Sequence, residues 1–378
     1  MKYKRIVVKV GSSTLSNKNA KLNFTKIDSL ARQLVDLKNK GYEVILVSSG
    51  AIAAGMGELG YQTKPTAIPE QQACAAVGQG LLIGIYNKFF REYGAKCAQI
   101  LLTSSDLENR NRYLNSFNTL ITLLEKDVIP VINENDTIVT NEIKVGDNDT
   151  LAARVAGLIE ADLLINLSDV KGLYNANPEK AAGELKLINK VTDITDEIEA
   201  MAGGKGSFVG TGGMATKIEA AKIAVNSGID MVIGSGKEKN SLLKLIKMAE
   251  RNEFNLGTTF LAQPDRLSKR KQWLNFNLHS QGKILVDHGA AAALVCRGKS
   301  LLPGGIKEIK GKFKSGDLVS IYHLKEQIAK GIVNYNSAEI DQIKGLHSDE
   351  IETVLGYFNK SEVVHRDNMV VGGDKNEY

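Results

Sequence analysis

Two lysines far apart in the chain, Lys9 and Lys217, each stand beside a glycine-containing turn. Lys9 lies near the end of an apolar run, in Lys9-Val10-Gly11-Ser12-Ser13, and is followed by small residues with free backbone N–H groups. Such a passage is either a phosphate cradle or an ordinary glycine turn after a strand. The lysine favours the cradle, because a buried strand rarely carries one without a partner. Lys217 falls in the first turn of an expected helix, behind Gly203-Gly204-Lys205-Gly206 and Gly210-Thr211-Gly212-Gly213-Met214-Ala215-Thr216. That glycine-rich stretch either offers N–H groups to phosphate oxygens at a helix N-terminus or is a plain surface loop. Two ammonium groups flanking a migrating phosphoryl group would supply positioning and neutralisation of oxygen charge, which is most of what phosphoryl transfer requires.

The polar middle of the chain adds a second kind of chemistry. Asn133-Glu134-Asn135-Asp136-Thr137 and Val145-Gly146-Asp147-Asn148-Asp149-Thr150 bring seven Asx or Glu side chains to two successive segments. Carboxylates and amides of this type grip an ammonium group, hold Mg²⁺, or fix lysines by charge pairing. Read blandly, the same residues make turns, with Asp149 capping a helix that begins at Thr150. With no histidine or cysteine beside them, a zinc site is not expected. Ser48-Ser49-Gly50-Ala51-Ile52-Ala53-Ala54-Gly55 is a run of small residues that either lets a substrate approach the backbone or packs helices tightly. Ser168-Asp169-Val170-Lys171-Gly172-Leu173-Tyr174 is placed to line a nucleotide pocket. A carboxylate acceptor is already ionised, so the lack of a histidine in these segments is consistent with transfer to a carboxyl oxygen.

These residues need a scaffold, and the hydrophobic pattern provides one. Short β-branched runs at Ile6 to Val10, Glu43 to Ser48, Cys97 to Leu102, Val128 to Ile132, Leu163 to Leu167 and Asp230 to Ile233 alternate with amphipathic stretches. That alternation predicts an α/β fold, a three-layer αβα sandwich around a mostly parallel sheet. Ligands of such sheets bind at the carboxyl ends of the strands, where the motifs above fall. Two decoys are set aside. Gly55-Met56-Gly57-Glu58-Leu59-Gly60 matches G-x-G-x-x-G, but it begins several residues after its strand and lacks an acidic strand end further on. Gly298-Lys299-Ser300 has Ala293 where a Walker A loop needs glycine.

The domains are expected at 1–256 for the catalytic part, 257–272 for a linker with Lys269-Arg270-Lys271, 273–356 for a small mainly-β part punctuated by glycines, and 357–378 for a tail that looks frayed from Arg366. A chain of 378 residues with 43% hydrophobic and 24% charged residues and 6 prolines reads as an ordinary globular protein of two units. The start, Met1-Lys2-Tyr3-Lys4-Arg5, is followed by an apolar stretch too short for a signal peptide, and no run approaches the length of a membrane span. With three widely spaced cysteines, Cys74, Cys97 and Cys296, the expected setting is the reducing cytoplasm. A net charge of +5 does not by itself imply nucleic acid.

Taken together and in order, the motifs at 9–13, 48–55, 133–136, 145–149 and 210–217 resemble the amino-acid kinase family, over nearly the whole chain. Within it they resemble the members that phosphorylate the side-chain carboxylate of L-glutamate at the first step of proline synthesis. The resemblance implies that Lys9 and Lys217 stabilise the transferring phosphoryl group and that Asp149 orients them. It implies glutamate binding by Ser49, Gly50, Ala51, Asn133, Asp136, Asp147 and Asn148. ATP contacts are implied for Lys9, Gly11, Ser12, Ser168, Asp169, Thr211, Gly212, Gly213, Met214, Ala215, Thr216 and Lys217. Mg²⁺ is expected chiefly on the ATP phosphates. Ser168 stands where many relatives have Thr, and it keeps the hydroxyl. Relatives assemble as dimers or tetramers and are inhibited by proline, and glutamyl-phosphate reductase is the implied functional partner.

The C-terminal part, with Ser300-Leu301-Leu302-Pro303-Gly304-Gly305-Ile306, resembles a PUA domain, a β-barrel known from RNA-modifying enzymes. Residues 266–320 hold eleven Lys or Arg against three Asp or Glu, which is either a solvated basic surface or a face for RNA. With little aromatic interleaving, RNA is not the expected partner. An RNA-binding protein is nonetheless the competing reading.

Overall fold

The computed structural model describes residues 1–16, 22–138, 148–176, 184–202, 213–262 and 280–371. The chain divides into two compact units, Met1–Arg266 and Leu267–Tyr378.

In the first unit every expected strand forms: β1 (Arg5–Val10), β2 (Glu43–Ser48), β3 (Lys96–Leu102), β4 (Val128–Glu134), β5 (Leu163–Ser168) and, after a short β6 (Lys190–Val191), β7 (Asp230–Ser235). With β8 (Thr258–Phe260) they make one sheet in the order β3-β4-β2-β1-β5-β7-β8-β6. β3, β4, β2, β1, β5 and β7 run parallel, and β8 lies antiparallel to β7. The central strands are buried on both faces, which is why β1 reads Ile-Val-Val-Lys-Val without alternation. The helices that cover them are α1 (Ser12–Leu15), α2 (Phe24–Asn39), α3 (Ala51–Glu58), α4 (Ile68–Glu92), α5 (Ser104–Glu108), α6 (Arg110–Glu125), α7 (Asn148–Leu158), α8 (Asp196–Met201), α9 (Met214–Asn226) and α10 (Ser241–Glu250). The sandwich anticipated from the hydrophobic pattern is therefore the one found.

The run of small residues after β2 serves both of its readings. Gly50 has φ +106°, a left-handed turn closed to most side chains, and it swings the chain from β2 into α3. Five residues on, a Cβ at Gly55 would stand 1.8 Å from the carbonyl oxygen of Cys74 on α4, and one at Gly78 would stand 1.7 Å from that of Ala51. The α3 and α4 backbones thus touch through two glycines, which fixes the shelf on which Ala51 sits. Gly55 to Glu58 of the dinucleotide-like motif lie inside α3, away from any strand-to-helix turn.

Two boundaries differ from the sequence reading. Thr258–Phe260, placed in the linker, is a fully buried strand. Three residues behind Gly257, which reverses the chain at φ +72°, are too few to show a period. The segment placed in the tail contributes Val364–Val371, a strand antiparallel to the one before it. It is the edge strand of its sheet, and His365, Arg366 and the buried Asn368 interrupt the apolar alternation that would have marked it in the sequence. The second unit has a sheet of its own, in the order β10-β9-β11-β12-β13, formed by β9 (Gly282–Val286), β10 (Ile306–Lys310), β11 (Leu318–His323), β12 (Glu326–Val333) and β13 (Val364–Val371). It closes on a separate apolar core that includes Ile284, Val319, Ile328 and Tyr335.

Candidate active site

The carboxyl ends of β1, β2, β4 and β5 open on a cleft of about 410 Å³. Gly11 and Ser12 after β1, Ser49 to Ala51 after β2, Asn133 and Asp136 at the end of β4, and Ser168 and Asp169 at the end of β5 all line it. Asn148, Lys9 and Lys217 line it too. Sheet order explains the convergence, because the chain runs from β1 to β2 on one side of β1 and later crosses from β4 to β5 on its other side, opening a crevice there.

Behind the lysines lies Asp149, 1% exposed, in the first turn of α7 rather than at its cap. Lys9 pairs with its Oδ1, and the Lys217 ammonium donates to its Oδ2 at 3.1 Å. The Thr216 hydroxyl donates to Oδ2 at 2.9 Å and the Asn166 amide to Oδ1 at 2.9 Å, so each carboxylate oxygen receives one cation and one neutral donor. Burial alone would raise the pKa of Asp149; the charges of Lys9 and Lys217, with their hydrogen bonds and that of Asn166, outweigh it and hold the carboxyl at about 2. Asp149 is therefore ionised at neutral pH.

Part of the cleft is built from amides. Asn148 donates from Nδ2 to the Ser49 hydroxyl at 2.9 Å and to Asn133 Oδ1 at 3.1 Å, tying three elements together. Asn133 Nδ2, Asn148 Oδ1 and Asp136 Oδ1 are buried with no hydrogen-bond partner among the described residues. One donor and two acceptors, one of them from a carboxyl group, are thus available to a ligand bearing both an ammonium and a carboxylate. Burial pushes the Asp136 carboxyl up to about 6, against the lowering influence of the Lys64 ammonium.

The features around Lys217 and at the end of β5 are of another kind. Helix α9 starts at Gly213 with no side-chain cap and no acidic residue in its first turn, which leaves its N–H groups suited to anionic oxygens. Gly213, Met214, Ala215 and Thr216 form that start, and Lys217 follows. Ser168 donates to its neighbour Asp169 at 3.1 Å. Asp147, Thr211 and Gly212, named from the sequence, lie outside the described residues. Residues that escaped the sequence reading include Lys64, in the cleft, and Asn166, behind it on Asp149. Lys64 sits in the connection between α3 and α4, with no motif around it, and reaches the cleft only through the fold. Asn166 could have been noticed as the one amide in the apolar strand Leu-Leu-Ile-Asn-Leu-Ser.

A parallel αβα sheet that aims two lysines at one buried aspartate, beside a cleft with amide and carboxyl groups open to a ligand, defines a phosphotransferase. The chain belongs to the amino acid kinase family, whose sequence profile matches residues 4–235, and residues 282–355 match the PUA domain. Relatives that match almost its whole length include glutamate 5-kinases. That of Caldanaerobacter subterraneus subsp. tengcongensis is 53% identical over 97% of both chains, and that of Moorella thermoacetica is 50% identical over 98% of this chain and 97% of its own. Among solved structures, carbamate kinase from Giardia lamblia bound to AMP-PNP covers 70% of this chain and 100% of its own at a TM-score of 0.50 and 17% identity, a likeness of fold alone.

Proposed function

We propose that the chain transfers the γ-phosphoryl group of ATP to the side-chain carboxylate of L-glutamate, giving L-glutamyl 5-phosphate and ADP, as the first step of proline synthesis. The observation that carries this reading is the convergence of Lys9 and Lys217 on Asp149 beside a cleft whose Asn133, Asp136 and Asn148 keep unpaired polar atoms. Asp136 takes the glutamate ammonium, and Asn133, Asn148 and Ser49 fix the rest of the amino acid against the Gly50–Ala51 backbone. The acceptor carboxylate is ionised at neutral pH, so no side chain has to remove a proton. One of its oxygens bonds to the γ-phosphorus as the bond from that phosphorus to the bridging oxygen breaks, and the electron pair leaves on ADP. Lys9 and Lys217 neutralise the oxygens of the transferring group, while Asp149, too acidic to accept a proton, holds both ammonium groups in place and charged.

The first turn of α9, with Gly11, Ser12, Ser168 and Asp169, receives the rest of the nucleotide. The donor set on this side is cationic and hydroxylic, a match for phosphate oxygens, and Mg²⁺ would be carried on those phosphates, where it adds to charge neutralisation. An acyl phosphate is short-lived in water, so its consumer must act on it promptly, and the family resemblance supports glutamyl-phosphate reductase in that place. The family resemblance supports a cytoplasmic homo-oligomer. The test is Mg²⁺-dependent ADP release with trapping of the acyl phosphate by hydroxylamine over a panel of acidic amino acids. Hydroxamate from glutamate is expected; hydroxamate from aspartate or acetylglutamate, with none from glutamate, would overturn the reading.

A further inference from the structure

Asn166 occupies the centre of β5, 1% exposed, between Ile165 and Leu167 and in register with Lys9 on β1. Its Nδ2 donates to Asp149 Oδ1 at 2.9 Å, and its Oδ1 is buried with no partner among the described residues. The amide orientation is set by charge, since the reverse would press a carbonyl oxygen against the carboxylate. For stability alone this is a poor choice. A leucine, branched at the same atom, would leave no unpaired carbonyl in the middle of the sheet, whereas the asparagine strands one. A buried polar residue that does not serve the fold is explained by the group it touches, and that group is the aspartate between the two lysines.

We propose that Asn166 is a positioning residue for phosphoryl transfer: it pins Asp149 Oδ1 so that Lys9 and Lys217 stay splayed on opposite oxygens of one carboxylate. This rests on the reading of Lys9 and Lys217 given under the proposed function. As negative charge moves across the transferring group, both ammonium groups are drawn toward it. A carboxylate held only by those two cations would turn about its Cβ–Cγ bond and follow one of them. The neutral donors, Asn166 on Oδ1 and Thr216 on Oδ2, resist that turn without competing for the phosphoryl oxygens. The effect belongs to the transition state, because Asn166 does not line the cleft and acts only through Asp149.

The test compares N166L and N166A with the unaltered enzyme for kcat, both KM values and thermal midpoint. One variant fills the site and the other empties it, and they share only the loss of the donor; should N166L fail to fold, N166A decides. Turnover is expected to fall roughly tenfold to a hundredfold, the span of a lost hydrogen bond to a charged acceptor. KM for glutamate and for ATP should stay within about twofold, and N166L should melt no lower than the parent. Unchanged turnover, KM values rising in step with the loss, or activity lost only in proportion to unfolding would each overturn the proposal. Lys217→Ala, assayed alongside, separates the two levels. If it too leaves turnover intact, the reading of the site fails; if it abolishes turnover while the Asn166 variants remain fast, only the role of Asn166 fails.

Discussion

At the scale of single residues, the site sets two aspartates against each other by environment. Asp149 is buried but doubly paired, so its pKa falls from 3.8 to about 2; Asp136 is buried, with no partner for Oδ1 among the described residues, so its pKa rises from 3.8 to about 6. The signs of their contributions to stability are opposite. Asp149 stabilises the fold above about pH 4, and that contribution is lost as the pH falls toward 2. Ionised Asp136 costs the empty protein about 3 kcal/mol above pH 6, a cost that disappears below about pH 4. A bound ammonium group offsets it, which links glutamate affinity to the ionisation of Asp136. The expected outcome is a glutamate KM that is flat above pH 6 and rises about tenfold per unit well below it, with the dependence abolished in D136N. A parallel rise in the KM for ATP would assign the effect to some other group. Lys9→Ala and Lys217→Ala are each expected to lower kcat by about 10² to 10³, with glutamate KM changed only a few-fold, since their charge acts on oxygens that become more negative during transfer. Steady-state kinetics with glutamate varied at saturating ATP measures both parameters, and equal losses in the two would mean the lysines act in ground-state binding.

At the scale of elements, glycine placement in α3 yields a matched pair of predictions. Gly55→Ala thrusts a methyl group into the Cys74 carbonyl, so α3 and α4 must part; a loss of about 3 kcal/mol by urea denaturation is expected, with a raised glutamate KM because Ala51 moves with α3. Gly57, two residues on, has nothing within 4 Å of the same position, so Gly57→Ala should stabilise α3 by about 0.5–1 kcal/mol and leave KM alone. The same segment shows what sequence could and could not disclose. The strands were legible because a strand covered on both faces reads as an unbroken apolar run, and the lysine inside β1 stood out against it. The motifs were legible because they follow strand ends. Lys64 was not, since nothing local marks an exposed lysine on a connection whose path depends on how α3 and α4 pack. Nor was β8 legible, because its three residues owe their place to pairing with β7 rather than to any pattern of their own. Asn166 lay between these cases, visible as a misfit in β5 but without meaning until Asp149 was seen beside it.

At the scale of the whole molecule, the chemistry and the basic C-terminal part are separable. The cleft-lining residues and their partners at Asp149 belong to Met1–Arg266, and each unit has its own sheet and its own apolar core. Units that each close a core can fold independently. A chain ended after Arg266 is therefore expected to fold and to keep glutamate and ATP KM values within about twofold of the full chain, while the full chain unfolds in two steps by calorimetry and the shortened one in a single step. The competing reading, in which the basic second unit binds RNA, makes the reverse forecast for the same pair of proteins: an RNA affinity that falls steeply with salt and vanishes on truncation. A shortened protein that folds, shown by its melting transition, yet no longer turns over would mean that the second unit completes the catalytic cleft, and the division of labour argued from the two cores would be wrong.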